Sequence, residues 1–330
     1  MNRSAVGSPM IISRTPLRVS FCGGGSDLED YYKHSKKGGR VTSVALKKHV
    51  YVTVNSRFDD SVRVSYSEME IVDDFEKLKH QLVKEAMRMT GVTKAVEITT
   101  IADIPSKGSG LGSSSAVTVG LLHALHCFAG RNPSPLQLAE EACKIEIDIL
   151  GQIIGKQDQY AAAMGGCNHI LFNSDGSVDV EKISNQESLK DNFALLYTGK
   201  TRLANEILTI QNDRTNQNRE NLDLLVDQAE IAKKMIIENN YSGLANLLND
   251  TWKCKKELSP NITNPEIDKL FEKLSDCGVN GAKLLGAGGG GFILFGGDSE
   301  VMKNVKDSLP DNKIMPLEVD YQGSCILYSD

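Results

Sequence analysis

No Cys-x-x-Cys pair occurs anywhere in the 330 residues. The seven cysteines, Cys22, Cys127, Cys143, Cys167, Cys254, Cys277 and Cys325, are odd in number and scattered, which argues against both a metal knuckle and a disulfide framework. Also missing are an apolar run of membrane-spanning length and the charged-then-apolar start of a secretory leader. A cytoplasmic protein with no membrane partner is the expectation. Positive charge is not in excess: 37 Lys and Arg against 43 Asp and Glu leave a formal net charge of −6, with the signs interspersed. Without a basic stripe or an aromatic-rich RNA motif, no nucleic-acid partner is expected. A negatively charged substrate must then be met by local cations rather than by a global field. No internal repeat or low-complexity block is found. What remains is a chain with 40% hydrophobic residues, enough for a sizeable core and two domains, preceded by a small, polar tail over residues 1–9.

Residues 41–46, 49–55, 62–66 and 95–102 are rich in Val, Ile, Thr and Tyr and read as strands. Residues 75–90, 113–129 and 135–150 carry helical periodicity, as do 203–210, 219–238, 241–258 and 265–277. Glycine and Asn-Ser-Asp-Gly punctuate a hairpin around the apolar run 169–172, and residues 193–197 read as the strand that opens the second domain. Strands and helices are mixed without strict alternation, an α+β pattern.

The most specific segment is Gly108, Ser109, Gly110, Leu111, Gly112, Ser113, Ser114 and Ser115, preceded by Lys107 and leading into an apolar helix. Interleaved glycines let backbone N–H groups turn inward, and a helix start adds unpaired N–H groups and a positive dipole end. The pattern suits a nucleotide triphosphate. A flexible linker is the bland alternative, but a linker is not framed by a strand and a regular apolar helix. It is not the Walker loop, because the lysine precedes the glycines, and its spacing is not that of a dinucleotide fold.

Two further glycine segments flank it: Arg14 to Asp27, ending in Gly23, Gly24, Gly25, Ser26 and Asp27, and Lys283 to Phe295, containing Gly286, Ala287 and Gly288 to Gly291. Together the three resemble the GHMP small-molecule kinases over nearly the whole chain. The resemblance implies a two-domain α+β fold, a ribosomal S5 domain 2-like unit over 10–188 and a ferredoxin-like unit over 189–330, with the site between them. Galactokinases carry Gly-Glu-His-x-Asp where this chain has Gly23 to Asp27. That difference, with residues 154–162 and 197–202, is most similar to the D-glycero-D-manno-heptose 7-phosphate kinases, which phosphorylate an anomeric hydroxyl. Sugar kinases of the fucose type share a related first motif, so a kinase for fucose, galactose or a mevalonate-type alcohol is the alternative within enzymes, and a non-catalytic sensor on the same fold is the rival from another class.

The resemblance implies ATP and Mg²⁺ as cofactors and a phosphorylated sugar as partner; a homodimer is the default expectation from the prevalence of symmetric dimers. Residues 107–115 would hold the nucleotide, Ser114 and Glu146 the metal. Two residues along a helix point Asp148 away from Glu146, making it the weaker metal candidate; taken alone, Glu146 would be a solvated carboxylate. Asp158 matches the catalytic carboxylate and Arg18 the arginine beside it, against the bland readings of a helix cap and a bracing ion pair. Gly24, Gly25, Ser26 and Asp27 would contact the acceptor, and Gly288 and Gly289 would close over phosphate or else serve tight packing. Arg202 leads the candidates for the acceptor's own phosphate, ahead of Arg14, Lys107, Lys156 and Lys200. Cys22, beside the first glycine turn, reads as buried filler rather than a reactive thiol.

Overall fold

The computed structural model describes residues 10–104, 108–184, 186–200 and 204–330, with backbone alone at 204–206. Its frame is a long antiparallel ribbon of β1 (Met10–Cys22) and β2 (Gly39–Ser56). The strands predicted over 41–46 and 49–55 are one strand. Lys47 and Lys48 are extruded as a bulge, because Pro16 faces His49 while Leu17 already faces Leu46. Proline cannot donate to the ladder, so the irregularity falls beside it.

The length of β2 lets it serve two neighbours. Its second half pairs with β5 (Val96–Ala102), beyond which lie β3 (Val62–Ser65) and β4 (Met69–Val72). Its first half pairs with β6 (Cys167–Phe172), which in turn pairs with β7 (Val178–Ile183). The Ser113–Phe128 helix crosses β1 and β2, close enough that a Cβ on Gly120 would lie 2.9 Å from Thr15 Oγ1. This helix and the two strands carry much of the apolar core.

The second sheet comprises β8 (Phe193–Tyr197), β9 (Gly281–Leu284), β10 (Phe292–Gly296) and β11 (Ile314–Pro316), in the order β11-β8-β10-β9, antiparallel throughout. Fourth, first, third, second is the ferredoxin-like order, as the resemblance implied. The Arg219–Ile237 helix rests on β1 and β2, its neighbour Tyr241–Leu258 on β9 and β10, so the helix pair joins the two sheets. The last strand, β12 (Cys325–Ser329), returns to the first sheet and pairs with β1. The C-terminal strand thus departs from the expected 189–330 unit, and it covers a sheet edge that would otherwise present unpaired backbone groups.

Two predicted helices differ in detail. Over 75–90 a short 3₁₀ turn, Phe75–Lys77, precedes the helix Gln81–Thr90. Over 135–150 the helix Pro135–Cys143 passes into a π-helical turn, Lys144–Ile149. Among the described residues no helix is long and apolar enough to cross a membrane.

Candidate active site

Gly108, Gly110 and Gly112 all adopt left-handed backbone, with φ of 68°, 74° and 73°. The alternation turns Ser109 and Leu111 inward, both buried. The Ser109 hydroxyl lies 2.9 Å from that of Ser113, and the Leu111 carbonyl accepts the Arg18 N–H at 2.9 Å. The loop is therefore fastened to β1 and ends at Gly112, the N-cap of the Ser113–Phe128 helix. The first-turn N–H groups of a helix lack intrahelical partners, and here Ser113, Ser114 and Ser115 line a cleft. Lys107 lies outside the described residues.

The cleft, about 1180 Å³ with its open mouth included, runs from this loop past Arg18, Asp158 and Gly155 to Gly24, Gly25 and Asp27. Asp158 is in the first turn of the Gln157–Met164 helix, and its Oδ1 accepts the Arg18 Nε at 2.7 Å. Arg18 also donates to the Gly110 carbonyl at 2.6 Å, so one guanidinium fixes both the carboxylate and the loop. A Cβ on Gly112 would come within 3.1 Å of Asp158 Oδ2. The carboxylate thus lies beside the last glycine of the loop, 23% exposed, in contact with the cleft.

Glu146 comes from the π-helical turn, where the wider backbone ring aims it inward while Asp148 stays exposed. It is buried, with Oε2 accepting Gln159 Nε2 at 2.6 Å and Oε1 accepting Ser114 Oγ at 3.3 Å. Burial raises its carboxyl to about 7, the hydrogen bonds from Gln159 and Ser115 opposing and the Asp158 charge adding to the rise. No ion pair to Glu146 is found among the described residues. A buried carboxylate next to a cleft-facing hydroxyl, both hard oxygens, fits a partly hydrated Mg²⁺.

On the acceptor side, Asp27 is buried. Its Oδ1 accepts Gly25 N–H at 2.9 Å and Gln157 Nε2 at 3.1 Å, and its Oδ2 accepts Gln157 N–H at 3.2 Å. Desolvation first, then the Asp158 charge, raises its carboxyl. Gly155 is required there, because a Cβ would stand 1.8 Å from Asp27 Oδ2. Ser26 turns away: its hydroxyl donates to Gly23 and Arg40 carbonyls, closing the turn rather than facing the cleft. Two cleft-lining side chains carry buried polar atoms without a hydrogen-bond partner, Gln157 Oε1 and Gln211 Nε2. One accepts and one donates, the complement of a hydroxyl-bearing ligand.

Gly288 and Gly289 do not line this cleft. A Cβ on Gly288 would meet Ile262 Cα at 2.9 Å, and Gly289 N–H donates to the Ile262 carbonyl at 2.8 Å, the tight-packing alternative. Gly286 and Ala287 line it instead. Arg14 joins Asp320, Lys200 joins Glu266, and Lys156 lies over the Tyr32 ring; none of the three is on the cleft wall. Arg202 lies outside the described residues. Cys22 is buried and its thiol pushed up to about 11 by burial, as filler should be.

Two cations that the motifs did not single out do line the cleft: Lys255 and Lys283, both buried. Each carries a legible signal. Lys255 continues the stripe Leu244, Leu248, Thr251, Leu258 on the inner face of its helix, and Lys283 interrupts an otherwise apolar strand. Beyond Ser114 a second groove, also unforeseen, mixes apolar side chains such as Val50, Leu82, Ile101 and Val117 with the charged Glu68, Lys79 and Asp103.

Similarity to known proteins agrees with this geometry. Residues 77–166 match the GHMP kinases N terminal domain and 232–313 the GHMP kinases C terminal, together just over half of the chain. D-glycero-alpha-D-manno-heptose 7-phosphate kinase from Campylobacter jejuni is 29% identical over 86% of this chain and 88% of its own. Mevalonate kinase from Saccharolobus solfataricus is 26% identical over 86% and 89%. The crystal structure of a D-glycero-D-manno-heptose 1-phosphate kinase from Bacteriodes thetaiotaomicron superposes with a TM-score of 0.79 at 23% identity, covering 96% and 99%. A glycine loop fastened to a carboxylate–arginine pair, on a fold and two sequence regions of this kind, places the chain in the GHMP kinases, phosphotransferases that act on an alcohol group.

Proposed function

We propose that this kinase transfers the γ-phosphoryl group of ATP to the anomeric hydroxyl of D-glycero-D-manno-heptose 7-phosphate, giving the 1,7-bisphosphate for bacterial surface polysaccharide. The observation that carries the reading is Asp158, bound to Arg18 at 2.7 Å and flanked by Gly112 on one side and the Gly24–Asp27 turn on the other. In-line transfer needs a held triphosphate, charge compensation and an alcohol aimed at phosphorus. Arg18 holds Oδ1, leaving Oδ2 to accept the acceptor's hydroxyl proton. Backbone N–H groups of 108–115 bind the phosphates, and the groove beyond Ser114, with apolar walls at Val50, Leu82, Ile101 and Val117 and polar groups at Ser67, Lys79 and Thr100, suits the nucleotide base. Ser114 and Glu146 would hold Mg²⁺, which when bound offsets charge on the phosphate oxygens. The orphaned Gln157 and Gln211 atoms favour a polyhydroxylated acceptor over a mevalonate-type alcohol. Similarity to the Campylobacter enzyme supports the heptose phosphate in particular.

An ADP-coupled assay across heptose 7-phosphate, fucose, galactose and mevalonate tests it. Heptose 7-phosphate is expected to give the highest kcat/KM. A higher value for another acceptor replaces the substrate, and no ADP release with any of them turns the reading toward a sensor.

A further inference from the structure

Arg18, Lys255 and Lys283 line one cleft, but among the described residues only Arg18 has a carboxylate partner there. Lys255 Nζ donates to the Leu284 carbonyl at 2.9 Å and to that of Gly286. Lys283 Nζ donates to the carbonyls of Ser20 at 3.0 Å and Phe21 at 2.9 Å. Neither forms an ion pair among the described residues. Each ammonium carries three donors, so each has one beyond its two carbonyls. Burying an ammonium without a counter-ion is costly, and two near each other cost more. Burial lowers the amine of Lys283 to about 8 and that of Lys255 well below its usual range, and neighbouring positive charge, Arg18 for both and Lys283 for Lys255, lowers them further. A buried, cleft-facing group of like charges is complete only with an anion between them.

The attachments locate that anion. Lys255 is tied to Gly286, whose Cβ position lies 2.4 Å from Gly110 Cα, so its amine is at the junction of two glycine loops on the donor side. Lys283 is tied to the end of β1, immediately before the Gly23–Gly25 turn of the acceptor side. Arg18, which fixes both the loop and Asp158, shares their field. A phosphate dianion suits this set of charges and has two possible sources: the nucleotide's terminal phosphoryl group, or a phosphate already on the acceptor. An acceptor phosphate several carbons from the reacting hydroxyl would be remote from Asp158, whereas the group in transit must pass beside it.

We infer that Lys255 and Lys283 are catalytic residues that grip the phosphoryl group between donor loop and acceptor turn, balancing its equatorial oxygens during transfer. This rests on the kinase reading but not on the identity of the sugar. In the step, the acceptor oxygen bonds to the γ-phosphorus as its proton passes to Asp158. The bond from that phosphorus to the bridging oxygen breaks, and its electron pair stays on ADP. The two ammonium groups hold charge that is exposed only while the phosphoryl group is between partners.

The test needs no sugar. MgADP affinity is measured by calorimetry with and without beryllium fluoride, a mimic of the terminal phosphoryl group, for the wild type, K255M and K283M. Fluoride is expected to tighten binding by about tenfold or more in the wild type and by less than about threefold in either variant, with ADP alone unchanged. K255Q and K283Q keep a donor for the carbonyls without the charge and are expected to match the methionine variants. The inference is overturned if wild type shows no gain, if variants that bind ADP keep it, or if neither substitution at a position leaves a folded, ADP-binding protein. With an accepted sugar phosphate, kcat is expected to fall by about a hundredfold at little-changed acceptor KM. A raised acceptor KM at unchanged kcat assigns the lysines to the acceptor's own phosphate and also overturns it. Failure of heptose 7-phosphate as a substrate removes the proposed acceptor alone and leaves the fluoride result standing.

Discussion

The two glycine loops that meet in the cleft use the same residue for different ends. In 108–112 the left-handed glycines alternate with buried side chains and deliver the chain to a helix N-terminus whose first residues line the cleft. In 286–291 the glycines lead into β10, and they allow close approach: Gly286 to Gly110, Gly288 to Ile262, and Gly291 to the Ser109 carbonyl. Glycine density alone thus does not distinguish a phosphate cradle from a packing joint; the element that each loop enters, helix or strand, does. On the proposed function the first loop binds, while the second packs against the first and ties Lys255 to the Gly286 carbonyl.

The strongest challenge to that division is Asp158→Asn, because the proposed reaction takes place at the carboxylate beside the first loop. The variant is expected to fold and bind ATP while kcat drops by roughly 10²–10⁴-fold. Turnover within a few-fold of wild type would remove the carboxylate from the mechanism.

A matched pair sharpens the comparison at lower amplitude. Gly112→Ala sets a Cβ 3.1 Å from Asp158 Oδ2 at φ 73°, so it should displace the carboxylate and lower kcat by about 10–100-fold. Gly288→Ala sets one 2.9 Å from Ile262 at φ 119° and should cost about 1–3 kcal/mol of stability. Its kcat and ATP KM should remain within about twofold of wild type, since the loop it strains joins rather than binds. Steady-state kinetics with thermal melts on both variants decide. Equal loss of ATP binding in the two would make 286–291 a second cradle.

The same division between local and distant causes separates the features legible in the residues from those that were not. Loop 108–115 was legible from its local chemistry, glycine spacing and a helix start, whereas Arg18 and Asp158 came from the family resemblance, since locally they read as a bracing ion pair and a helix cap. The opening strand of the second sheet, 193–197, was legible, but the return of residues 325–329 to β1 was not, because edge pairing depends on partners about 300 residues away in the chain. Residues 47–48 hid a bulge whose cause, Pro16, lies on the other strand. Ser26 was grouped with Gly24 and Gly25 for the approach of backbone N–H groups, yet its N–H bonds the Gly23 carbonyl and its hydroxyl closes the turn on Arg40. Lys255 and Lys283 were passed over because lysine is ordinarily a surface residue; only their positions, on a buried helical stripe and inside an apolar strand, marked them.

The last expected effects concern Glu146, which supports the first loop from behind through Ser114. Its carboxyl is held at about 7 by burial, so a proton competes with Mg²⁺ for it below that pH. The Mg²⁺ concentration for half-maximal rate should rise about tenfold per pH unit as pH falls from about 7 toward about 5. Glu146→Gln should raise that concentration at every pH and flatten its slope; an unchanged metal titration rejects the ligand role. Stability without metal supplies the opposite sign. A carboxyl whose folded value lies above its unfolded one binds its proton more tightly when folded, so its contribution is full below about 4.5 and is lost as pH rises through about 7. The metal-free Gln variant should therefore melt higher than wild type at about pH 8, by at most about 3 kcal/mol of stability. The difference should shrink toward about pH 5, and added Mg²⁺ should stabilise the wild type more than the variant. A variant less stable than wild type at alkaline pH without metal would mean that the buried charge is compensated within the protein, and the case for a cation beside Ser114 would lose its physical basis.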